Sequence, residues 1–115
     1  FLSDNQSVGL KVVEKLRTAD KSLKVADTFK RNEKDRNQKI RKIAFTKLDA
    51  TVKATTIHSF KGWESRMIVI LITRAKIPKD LSVIYTGLTR IKQHPLGSFL
   101  TIVNTTERLK NYQDR

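Results

Sequence analysis

The chain has 115 residues, with 24 Lys and Arg against 11 Asp and Glu, for a formal net charge of +13. Its 38% hydrophobic content is enough for a core and too high for a disordered tail. It has no cysteine, so a disulfide framework and a thiolate metal centre are excluded; two histidines, His58 and His94, argue against a histidine-rich metal site, and no metal ligand is assigned.

Phe1 and Leu2 read as the end of a strand, and Ser3, Asp4, Asn5 and Ser7 then supply turn and N-cap chemistry. Val8, Val12, Val13 and Leu16 recur at helical spacing and predict a helix over about 7–18. Leu23, Val25 and Phe29 alternate with Lys24 and Thr28, predicting a short strand near 22–26. Residues 30–53 hold nine basic and three acidic side chains, +6 of the total charge. Ile40, Ile43 and Ala44 give that segment a thin apolar stripe, so part of it reads as helical. A phosphate-contacting surface and a solvated connection fit it equally well.

A strand rich in Thr and Val is predicted over 52–57. The loop His58-Ser59-Phe60-Lys61-Gly62-Trp63-Glu64 follows. Met67 to Thr73 is an unbroken apolar run, the pattern of a strand covered on both faces. Pro78 and Asp80 mark a helix start, and Leu81, Ile84, Tyr85, Leu88 and Ile91 fall on one face of a helix predicted over 80–92. A strand over 99–103 and a last helix over 105–112 complete the series. Alternation of this kind predicts one α/β domain over 1–115 with a parallel sheet of about five strands, and 30–50 as a basic connection within it.

No apolar run reaches the roughly 20 residues of a bilayer span. The chain opens on Phe1 with no signal peptide, and the expectation is a piece of a longer cytoplasmic protein. The charge favours a polyanion, nucleic acid first, over an anionic membrane surface. Ligands of open parallel sheets sit beyond the carboxyl ends of the strands, which directs attention to 3–6, 58–64 and 74–79. In the loop 58–64, Lys61 suits a phosphate oxygen and Gly62 admits close backbone approach. Thr55, Thr56, Ser59 and His58 can donate to a phosphate backbone, and Glu64 can accept from a sugar hydroxyl. Residue types and spacing fit an ordinary loop as well. Arg90, on the polar flank of the 80–92 helix, is either solvated or an arginine finger.

Thr55-Thr56-Ile57-His58-Ser59-Phe60-Lys61-Gly62-Trp63-Glu64 resembles motif V of the UvrD/Rep-type superfamily 1 helicases. Val83-Ile84-Tyr85-Thr86-Gly87-Leu88-Thr89-Arg90-Ile91-Lys92 resembles motif VI, with its Tyr–x–Gly/Ala–x–Thr–Arg core. Leu2 to Leu16 is more weakly similar to the strand and helix that open the second motor domain. The resemblance implies a RecA-like three-layer α/β domain, of the P-loop NTPase type without its own P-loop. It implies the C-terminal motor domain of an ATP-dependent DNA helicase or translocase. Arg90 would reach the γ-phosphate, Glu64 the ribose, and Lys61 and Gly62 the phosphates. Thr56, His58, Ser59 and, alternatively, Lys61 would face single-stranded or partly duplex DNA. ATP with Mg²⁺ is the implied cofactor, the metal held by an N-terminal RecA-like domain of the same protein.

The departures are specific. No G-x-x-x-x-G-K-[ST] occurs and no Walker B carboxylate is recognisable, so the chain alone is expected neither to bind nor to hydrolyse ATP. Trp63 replaces a usual aliphatic residue, and 26–52 is too short for the large inserted subdomain of many members. The alternatives are a non-catalytic basic nucleic-acid-binding module with a helicase-like fold and a protein-interaction scaffold.

Overall fold

The computed structural model describes residues 1–31, 34–47, 52–60 and 64–110. Among them the elements are β1 (Leu2–Ser3), α1 (Gln6–Ala19), β2 (Val25–Asp27), α2 (Asp35–Lys47), β3 (Val52–Thr56), β4 (Met67–Ile72), α3 (Pro78–Leu88) and β5 (Phe99–Asn104). The strands form one sheet in the order β2-β3-β1-β4-β5, and every pair is parallel. The fold is therefore α/β with a parallel sheet of five strands, compatible with a RecA-like three-layer domain.

Helices cover both faces. Leu2 pairs with Ile70 and Ser3 with Leu71, so the two residues of β1 point to opposite faces. A Cβ added at Gly87 of α3 would lie 3.2 Å from Ile70 Cδ1, placing α3 on the Leu2 face. One added at Gly9 of α1 would lie 3.1 Å from Ser3 Cβ and 2.5 Å from the Phe29 ring, placing α1 on the other. Leu2, Ile57, Ile68, Ile70, Ile72 and Ile84 form the main core under α3. Val13, Phe29 and Ala54 form a smaller one under α1, with Phe1 edge-on to Phe29 at 6.4 Å. Each fully buried side chain of this size contributes about 1.5–3 kcal/mol, so most of the drive to fold comes from these two layers.

Local chemistry sets the helix starts. Asn5 Oδ1 accepts from the Val8 amide at 3.1 Å and caps α1. Pro78 opens α3, and Asp80 Oδ2 accepts from the amides of Lys76 (3.0 Å) and Ile77 (3.2 Å) just ahead of it. Within the basic segment, 35–47 is helical, and Arg41 ties that helix to the sheet. Asp27, at the carboxyl end of β2, has a side chain only 1% exposed. Its Oδ2 accepts from Arg17 Nη2 at 2.9 Å, and its Oδ1 from Arg31 Nη2 at 2.8 Å and Arg41 Nη1 at 3.0 Å. Arg41 also donates to the carbonyls of Asp27 and Phe29.

Three expectations are corrected. The helix expected over 80–92 ends at Leu88, and Arg90 lies in the turn beyond it rather than on a helix face. Its amide donates to the Gly87 carbonyl, and pairing with Ser65 then draws the chain out of the helical path. The last helix, expected over 105–112, is not an α-helix over its described residues. There the Thr105 amide and hydroxyl both donate to the Ile72 carbonyl, which prolongs the sheet, and Asn104 Oδ1 accepts from the Thr106 amide. The strand expected near 22–26 sits at Val25–Asp27, carrying Asp27 to its carboxyl end. At the other margin β5 is exposed on both faces from Phe99 to Val103, as are Met67 and Val69 beside it.

Candidate nucleotide and nucleic-acid sites

The first candidate lies beyond the carboxyl ends of β1, β3 and β4. A crevice of about 290 Å³ is lined by Asp4, His58, Arg74, Ile77, Lys79, Asp80 and Val83. It brings together the three loops that the parallel-sheet rule singles out. Both carboxylates face inward on the backbone. Asp4 Oδ2 accepts from the amides of Thr73 (2.8 Å) and Arg74 (3.0 Å), and its Oδ1 from the Thr73 hydroxyl (2.7 Å). Asp80 closes the turn before α3 as described. No side-chain hydrogen bond or ion pair among the described residues engages His58, Arg74 or Lys79, all three exposed.

Thr56 and Ser59 belong to the turn that leads into this crevice. Thr56 is buried, its hydroxyl donates to Ser59 Oγ at 2.9 Å, and it accepts from the Ser59 amide at 3.2 Å. With the hydroxyl so engaged, Thr56 orients the turn, while Ser59 is exposed and keeps its own hydroxyl proton to donate.

His58 and Glu64 do not share that edge. β3 and β4 run parallel, so the connection between them crosses from the carboxyl to the amino edge of the sheet. Glu64 arrives at the amino edge, exposed, next to Ser65. The Ser65 amide donates to the Arg90 carbonyl at 3.1 Å, and the Lys92 amide to the Ser65 carbonyl at 2.8 Å. This parallel bridge sets Arg90 beside residues 64 and 65. The Arg90 side chain is partly buried. One of its terminal nitrogens donates to Thr89 Oγ1 at 3.1 Å, and its Nε is buried without a partner among the described residues. A cleft of about 570 Å³ flanks the same edge, with Glu64, Ser65, Lys53, Phe60 and Met67 in its walls.

The residues expected as one site thus divide between two edges. His58 and Ser59 stand at the carboxyl edge, Glu64 and Arg90 at the amino edge, and Lys61, Gly62 and Trp63 lie outside the described residues. Asp4, Arg74 and Lys79 have no individual signal in the sequence, although their loops do. What brings them together is strand order, which sequence alone does not supply. Among the described residues no three acidic or histidine side chains cluster as a metal site, and no helix is long and apolar enough to cross a membrane. Searches of family models, curated proteins and solved structures find no match to this chain.

Proposed function

We propose that the chain is the second RecA-like motor domain of an ATP-driven DNA helicase or translocase of the UvrD/Rep type. It completes an ATP site against an N-terminal RecA-like domain and grips single-stranded DNA. The observation that carries the reading is the parallel bridge of Ser65 with Ile91, in which the Ser65 amide donates to the Arg90 carbonyl. It joins the ends of the two stretches that resemble motifs V and VI, so the proposed ribose acceptor Glu64 and the proposed finger Arg90 share one rim.

The residues present suit a triphosphate. A buried guanidinium nitrogen without a partner is a costly state that an anion relieves. Arg90 offers further donors beside it, and the exposed Glu64 carboxylate offers an acceptor. In this reading ATP with Mg²⁺ is held by the neighbouring domain, whose carboxylates take the metal. Lys61 and Gly62 approach the phosphates, and Arg90 enters from this side to stabilise charge on the transferring γ-phosphoryl group. His58, Ser59 and the turn ordered by Thr56 hold the strand at the opposite edge, with Lys61 as the alternative contact. Closure on ATP and reopening after hydrolysis alternate the two domains' grips on the strand. The proposed place of action is the cytoplasm.

The rival is a non-catalytic basic nucleic-acid-binding module. The observation on its side is that the crevice holding His58, Arg74 and Lys79 is assembled from this chain alone. ATP hydrolysis by the protein that joins this chain to its N-terminal RecA-like partner separates the two. Hydrolysis stimulated by single-stranded DNA supports the motor. Salt-sensitive binding with no hydrolysis and no nucleotide dependence supports the module.

A further inference from the structure

The crevice at the carboxyl edge has a topological cause. From β1 the chain leaves through α1 onto one face, and from the adjacent β4 it leaves through α3 onto the other. Between neighbouring strands whose continuations part in this way a gap must open, and such gaps are where open α/β sheets take ligands. Here the gap holds two carboxylates, Asp4 and Asp80, and three cationic or donor side chains, His58, Arg74 and Lys79. The carboxylates are engaged by the backbone: Asp4 by Thr73 and Arg74, Asp80 by Lys76 and Ile77. The Arg74 and Lys79 side chains have no such engagement among the described residues, so the donors that remain free are positive.

We propose that this crevice is a seat for a backbone phosphate of single-stranded DNA, with Arg74 and Lys79 as its binding residues and His58 as a third donor. The assignment of the ligand as a nucleic-acid strand rests on the proposed function; the seat rests on the crevice and its free donors. At about 290 Å³ the crevice has room for a phosphate group with part of its sugar. Asp4 is a positioning residue. By holding the Thr73 and Arg74 amides it fixes where the Arg74 side chain starts, at the mouth of the gap.

The seat also has a physical link to the nucleotide rim. Lys79 and Asp80 lie in the first turn of α3, and Arg90 follows its last turn. Eleven residues of helix make a rod about 16 Å long. The helix therefore joins the seat to the turn that carries Arg90.

The test is fluorescence anisotropy of a labelled oligothymidylate titrated with the protein across a range of KCl concentrations. Arg74→Ala with Lys79→Ala is expected to weaken binding roughly tenfold and to reduce the slope of log affinity against log salt by about 0.7 for each phosphate no longer neutralised. Arg74→Lys is expected to retain most of the affinity. Lys11→Ala with Lys15→Ala, on the outer face of α1, is the control and is expected to change little. An unchanged slope in the Arg74/Lys79 variant overturns the seat, as does an equal weakening in the control. Competition by ATP at the same phosphate concentration as the oligonucleotide, equally effective, assigns the seat to free nucleotide and overturns it as a strand site. The outcomes separate from those of the motor reading. Weakened binding in the Arg74/Lys79 variant with no ATPase in the joined protein keeps the seat and removes the motor. Intact binding with DNA-stimulated ATPase does the reverse.

Discussion

The amide of Ser65 donates to the carbonyl of Arg90 across 3.1 Å, and with the Lys92 amide donating back to the Ser65 carbonyl it holds the turn from which the Arg90 guanidinium extends. Arg90 sits past the end of α3, so its side chain is carried by a turn with two anchors, the Gly87 carbonyl and Ser65. Removing the Ser65 anchor would free the turn without touching the guanidinium itself. A proline at Ser65 deletes the amide donor, and the joined protein is expected to lose DNA-stimulated ATPase while melting within a few degrees of the parent. Thermal melts and steady-state hydrolysis check the pair of outcomes. Full activity in Ser65→Pro would mean that the bond from the Ser65 amide does not position Arg90.

Asp27 is a stability residue rather than a ligand-binding one. One carboxylate, 1% exposed, accepts from three guanidiniums whose own exposures are 39%, 28% and 19%. Removing its charge leaves three cations close together, although Arg17 keeps its bond to the Val25 carbonyl and Arg41 its bonds to the Asp27 and Phe29 carbonyls. Full burial would cost about 3–5 kcal/mol, and the solvent that reaches the arginines lowers the expectation for Asp27→Asn to about 2–3 kcal/mol. Arg17→Ala, which removes the most exposed partner, is expected to cost under about 1 kcal/mol. Urea unfolding gives both values. Equal effects would show that the carboxylate is not the hub.

Two glycines test packing against helix propensity. Alanine in place of an interior helical glycine gains about 1 kcal/mol from the backbone. At Gly9 the new methyl would lie 2.5 Å from two ring atoms of Phe29, which is fully buried and has nowhere to retreat. Overpacking of that kind costs about 1–3 kcal/mol or more, so Gly9→Ala is expected to be destabilising. At Gly87 the nearest atoms are the terminal methyls of Ile70 and Ile57 at 3.2 and 3.4 Å, which yield with small torsions. Gly87→Ala is expected within about 1 kcal/mol of the parent. Denaturant midpoints rank the two, and the reverse order would place α1 and α3 differently from the packing described.

Asn5 caps α1 through Oδ1, which holds the Val8 amide. Asn5→Ala is expected to cost about 1 kcal/mol and Asn5→Asp to be nearly neutral. Amide exchange at Val8 and Gly9 reads the effect locally; unchanged protection there would mean that the cap contributes nothing.

Much of the fold is legible in the sequence because it follows from local pattern. The run from Met67 has no polar interruption and reads as a strand covered on both faces, which holds for Ile70 to Ile72 of β4, while Met67 and Val69 on one face of its first half are exposed. Asn5 and Pro78 announce the starts of α1 and α3 through capping chemistry. What is not legible depends on partners distant in sequence. Nothing in the stretch 80–92 shows that Ser65 captures the chain after Leu88. Nor does the spacing of Arg17, Arg31 and Arg41 point to Asp27, since the three come from different segments. The candidate site divides for the same reason. His58 and Glu64 are close in the chain, but the parallel pair β3 and β4 sets them at opposite edges of the sheet.

The central claim is that Arg90 completes a triphosphate site on a neighbouring domain. Its most direct test is DNA-stimulated ATP hydrolysis by the joined protein carrying Arg90→Ala, with oligonucleotide affinity measured on the same preparation. Turnover is expected to fall about a thousandfold or more while strand affinity stays within about twofold. Hydrolysis at the parental rate, with a folded protein, would contradict it.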